Sequence, residues 1–82
     1  MDTRVGTAIK DTLDRILAAG KAYDEQHDGP AREYHLRPRY GFVEAIWENG
    51  PNDPHRITKS GGDIRMANMR LLDKIERENE RG

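Results

Sequence analysis

Apolar residues in the first third of the chain recur at Val5, Ile9, Leu13, Ile16, Leu17 and Tyr23. This is the i, i+4, i+7 spacing that lines one face of a helix. The stripe commits residues 4–27 to one long amphipathic helix, and the rest of the 82-residue chain must fold against its apolar side. Lys10 with Asp14 and Asp11 with Arg15 are opposite charges four residues apart. Such pairs are worth a few tenths of a kcal/mol each and mark the solvated side. Gly20 costs about 1 kcal/mol relative to alanine inside a helix, so it points to close approach of another backbone or to a looser last turn. Asp28-Gly29-Pro30 then stops the helix, because glycine can take the left-handed cap and proline cannot continue.

A second helix is read over residues 63–80, where Ile64, Ala67, Leu71, Leu72 and Ile75 share one side and Ser60 or Asp63 can cap the first turn. Its last residues alternate in charge without an apolar member, as a solvated, fraying end does. Between the helices, residues 33–37 alternate with Tyr34 and Leu36 on one side, residues 42–48 are rich in β-formers, Asn49-Gly50 is a turn pair, and residues 55–59 centre on Ile57-Thr58. The expected fold is therefore α+β: a long N-terminal helix, a short two- or three-stranded antiparallel meander over about 33–59, and a C-terminal helix. The rival is an all-α three-helix arrangement with residues 40–49 helical, since Phe42, Val43, Ile46 and Trp47 also suit one helix face and Gly50-Pro51 would end it. The strands are preferred because this run lacks a good N-cap and carries aromatic and β-branched residues.

Composition limits what such a fold can do. Hydrophobic residues make up 34% and charged residues 35% of the chain, with a mean hydropathy of -1.01. Any core is thin. The 14 basic and 15 acidic residues leave a net charge of only -1, which argues against disorder and against a strongly basic nucleic-acid tail. One small domain over residues 1–82 is expected. There is no cysteine, so disulfides, thiolate zinc sites and thiol nucleophiles are excluded. No apolar run approaches a membrane span, and no basic segment leads into an apolar one at the N-terminus, so a cytoplasmic protein without membrane attachment is expected. A core this small seldom supplies more than roughly 3–5 kcal/mol, which makes a homodimer or a larger protein partner a natural supplement.

Four groupings can carry chemistry. Asp24, His27 and Asp28 fall at i, i+3, i+4, but three ligands on a fraying turn make a weak cation site, and no metal or cofactor is expected. Residues 58–63, Thr-Lys-Ser-Gly-Gly-Asp, can present backbone amides to an anion, yet they lack the phosphate-loop spacing and place Asp63 where phosphate would sit. Helix capping explains them more simply. Residues 30–70 hold 7 basic and 5 acidic groups, and Arg32, Arg37, Arg39, Lys59 and Arg65, interleaved with Tyr34, His35 and Tyr40, can hold phosphates while rings stack on bases. Glu44 and Glu48 can pair as carboxylates, but a chain this small has little means of closing a dry pocket around them. Sequence motifs of the common enzyme classes are absent, so no catalysis is expected.

The most informative feature is the pair Met66 and Met69. At 100° per residue they point roughly 140–200° away from Ile64, Leu71 and Ile75. Methionines facing outward beside Arg70 and Asp73 suit an adaptable contact surface, and Trp47 is a second candidate anchor. The resulting expectation is a small non-catalytic protein-binding or regulatory protein using Met66, Met69, Arg70, Asp73 and Trp47. Its size, balanced charge and lack of cysteine resemble those of the accessory proteins with which phages and mobile elements inhibit or redirect larger host proteins. The alternative is a nucleic-acid-binding transcriptional regulator using the arginine-rich middle segment.

Overall fold

In the computed structural model, which describes residues 3–81 and the side chains of the first helix from Ile9 onward, the N-terminal stripe forms a single helix, α1 (Thr3–Gln26). Ile16 and Tyr23 are buried, while Ile9, Leu13 and Ala19 are half-buried. Leu17 sits at the margin of the stripe and is 47% exposed; the side chain of Val5 lies outside the described residues. The helix ends where a break is expected. The His27 amide donates to the Asp24 carbonyl (3.3 Å), and Gly29 takes a φ of 115°, which a side chain would disfavour.

Three strands follow: β1 (Glu33–Arg39), β2 (Phe42–Glu48) and β3 (Ile57–Gly61), paired antiparallel in the order β1-β2-β3. The β1–β2 turn is the two residues Tyr40 and Gly41, with Arg39 opposite Phe42 and Gly41 at a φ of 84°. Residues 49–56 join β2 to β3, so Asn49-Gly50 opens a longer loop rather than closing a tight hairpin. The all-α rival fails because residues 42–48 send alternate side chains to opposite faces. Val43, Ala45 and Trp47 belong to the shared core, whereas Ile46, also fully buried, lies on the other face between its register partners His35 and Thr58.

The last element is α2 (Ile64–Arg81). Asp63 is its cap: the Asp63 Oδ1 accepts from the Met66 amide at 2.9 Å, and the Asp63 carbonyl from the Ala67 amide at 3.1 Å. Gly61 must be glycine for packing, since a Cβ there would fall 2.5 Å from the Ala67 backbone nitrogen. Helix and strand therefore touch directly.

The architecture is a sheet layer covered on one face by two helices. Ala67, Leu71, Leu72 and Ile75 of α2 meet Ile16 and Tyr23 of α1 and Ala45, Trp47 and Ile57 of the sheet in one core. The α+β order of helix, three-stranded meander and helix is thus observed. With 24 residues, α1 is the longest element of a molecule measuring 41 × 26 × 19 Å. No helix among the described residues is long and apolar enough to cross a membrane.

Candidate interaction surface

The buried side of α2 runs through Ala67, Asn68, Leu71, Leu72 and Ile75, so helical geometry turns Met66 and Met69 to the opposite side. They are 45% and 64% exposed. Together with Asp63, Arg65, Arg70 and Asp73 they line a shallow recess of about 420 Å³. Its charged rim is partly tied down: Arg70 donates through Nη1 to the Ser60 carbonyl at 2.9 Å, and Asp73 pairs with Arg77 at 3.1 Å. Two flexible thioethers framed by charges of both signs form an apolar centre with a polar rim.

Trp47 does not belong to this surface. It is 4% exposed, packs against the α1 backbone at Gly20, and donates its indole N–H to Asp24 Oδ1 at 3.1 Å. A large ring in a domain with few aromatics is used as core.

The basic residues of the middle segment are not gathered on one surface either. The Arg32 side chain is fully buried. Its Nε and Nη2 donate to the two carboxylate oxygens of Asp53 at 2.8 and 3.2 Å, Nη1 to Asp24 at 3.3 Å, and Nη2 also to the Asp28 carbonyl at 2.8 Å. The backbone N–H of Arg32 reaches Asp24 Oδ2 at 2.9 Å. Asp53 further accepts from the amides of Asn49 (3.1 Å) and His55 (2.9 Å). Burial pushes the Asp53 carboxyl up, but the Arg32 hydrogen bonds and the two amides outweigh it and hold it below its ordinary value. Burial likewise works against the Arg32 charge and is outweighed by Asp53 and Asp24, so the guanidinium stays above its ordinary value. A charge so enclosed pins loops together and has no hand free for phosphate.

Of the others, Arg37 and Arg39 lie on the sheet face away from the helices, in register with Glu44 and Phe42. Lys59 pairs with Ala45 and so points to the helix-covered face, and Arg65 lies on α2. Arg39 Nε donates to Glu44 at 2.6 Å and holds that carboxyl below its ordinary range. Glu48 pairs with Arg56 at 3.2 Å. Glu44 and Glu48 therefore share a sheet face but each answers to its own arginine.

In the Asp24, His27, Asp28 grouping, two of the three side chains are spent on structure. Asp24 serves Arg32 and Trp47, while His27 donates from Nδ1 to the Tyr23 carbonyl at 2.8 Å and stacks on the Tyr23 ring at 3.9 Å. Among the described residues, no three histidine, aspartate or glutamate side chains are set to hold a metal ion. An open cleft of about 510 Å³ lies between residues 28–30 and 49–55. Of the two acids that line it, Asp53 already uses both oxygens on Arg32, and Asp28 gives Arg32 its backbone carbonyl.

Compared with known proteins, the chain matches no protein-family model, no curated protein and no solved structure.

Proposed function

We propose that the chain is a small non-catalytic protein-binding domain of regulatory type, acting through the outward face of α2. The observation that carries this reading is the exposure of Met66 and Met69 at the centre of a recess rimmed by Asp63, Arg65, Arg70 and Asp73. Lone exposed apolar residues are common on monomers, but two adaptable side chains one turn apart with a charged border suit a docking surface. The most conspicuous charges elsewhere, Arg32 with Asp53 and Arg39 with Glu44, are engaged with each other.

The test is photo-cross-linking in cells of the source organism, with a photoreactive residue replacing Arg70 at the edge of the recess. A discrete covalent adduct that disappears in the Met66→Glu, Met69→Glu background supports the reading. Absence of any adduct from a folded, expressed protein would overturn it.

A further inference from the structure

We propose that the occupant of this face is a second copy of the chain, its α2 laid antiparallel across the first with the two-fold axis passing at Met69. The inference rests on the reading of α2 as a docking surface and names its partner. It comes from the order of charges along the helix. Arg65 and Asp73 stand four residues before and four residues after Met69, close to its direction on the helix surface. A two-fold axis through Met69 brings each Met69 onto its own copy and sets each Arg65 level with the partner helix's residue of opposite charge, which within one chain faces Arg77 at 3.1 Å and would be shared between the two arginines. A C2 interface requires this kind of self-complementarity.

Other alignments centred on the methionines lose it. An axis midway between Met66 and Met69 sets Arg65 against Arg70, both positive. An axis at Met66 sets Arg65 against Ala67 and leaves Arg70 and Asp73 beyond the start of the partner helix, so it forms no charge pair between the helices. A parallel, in-register pair would face Arg65, Arg70 and Asp73 each against its own kind. One helix face falls short of the roughly 800 Å² per partner of a standard interface, so the dimer is a reversible one.

The experiment is sedimentation equilibrium of the full chain up to about 1 mM, a range that reaches weak association, on wild type, Met69→Glu, Met69→Lys and an equimolar mixture of the two variants. Circular dichroism confirms each fold. A residue on a two-fold axis meets itself, so each variant alone is expected to be monomeric and the mixture to regain the dimer. Arg65→Asp or Asp73→Arg alone should weaken dimerisation about tenfold at low salt, and the two together should restore it. A wild-type chain that stays monomeric throughout overturns the second copy, whereas the docking-surface reading stands or falls on its cross-linked adduct. A dimer indifferent to Met69→Glu, or a mixture that stays monomeric, overturns the axis.

Discussion

The indole of Trp47 lies directly over Gly20 of α1, so close that a Cβ at that position would overlap the ring. Two preferences compete there. Alanine in a helix interior is favoured over glycine by about 1 kcal/mol, but the added methyl would force the ring aside and break the Trp47–Asp24 hydrogen bond. Overpacking a filled site typically costs about 1–3 kcal/mol, so packing wins. Gly20→Ala should lower the melting temperature and alter the near-ultraviolet circular dichroism of the only tryptophan. A raised melting temperature would mean that the ring packs elsewhere.

The same pair shows how far the sequence can be read. The helices were legible because each buries one stripe, and a stripe has a period; the strands were legible because β-formers cluster between turn residues. Met66 and Met69 face outward as their helical angles require. Gly20 was recognisable as a point of close approach, but its neighbour is a side chain from β2 rather than another backbone. The fate of Arg32 was not legible. In the chain it stands among arginines and aromatics, and its partner Asp53 lies 21 residues away in a loop that no periodicity describes. Burial of a charge is decided by what the fold brings to it, and neither residue carries a local mark of that meeting.

Removing one member of that pair strands the other. Asp53→Asn keeps the shape but leaves the buried guanidinium of Arg32 without its closest counter-charge. Breaking a buried pair costs about 3–5 kcal/mol, comparable to the whole core contribution of a domain this small. The variant should show a much lower urea midpoint or lose its cooperative transition. A wild-type urea curve would show that Asp24 alone satisfies the arginine.

The pH dependence follows from the same carboxylate. Asp53 is held below its ordinary value of 3.8 because the Arg32 and amide hydrogen bonds outweigh burial. A depressed folded-state value stabilises the fold above the unfolded value and loses that contribution as pH falls through the folded one. Stability should therefore be insensitive to this group near neutrality and decline once the pH drops below about 4. Urea midpoints at pH 7, 4 and 3 would check it; a midpoint that rises on acidification would contradict the sign.

Ser60 and Asp63 both qualify as caps by residue type, but only Asp63 reaches the first turn of α2, through the Met66 amide. Asp63→Ala should cost about 1 kcal/mol. Ser60→Ala should leave stability within about 0.5 kcal/mol of wild type, because it is exposed and Arg70 uses its carbonyl, which alanine retains. Thermal melts of the two variants distinguish the roles, and equal losses would place part of the cap on Ser60.

The Tyr34 hydroxyl donates to Asn68 Oδ1 at 2.5 Å, joining β1 to a face of α2 where Asn68 is only 2% exposed. Tyr34→Phe deletes the donor and leaves a buried carbonyl oxygen unpaired, which costs about 1–3 kcal/mol. Asn68→Leu removes the acceptor but strands a hydroxyl that burial already holds against ionisation. Making both changes leaves no polar group to satisfy and adds apolar contact beside Leu71 and Leu72. The double variant should thus be more stable than the less stable single variant, with a coupling of about 1–2 kcal/mol across the cycle. Additive losses in urea unfolding would mean that water satisfies the two groups separately and that this bond does not hold sheet to helix.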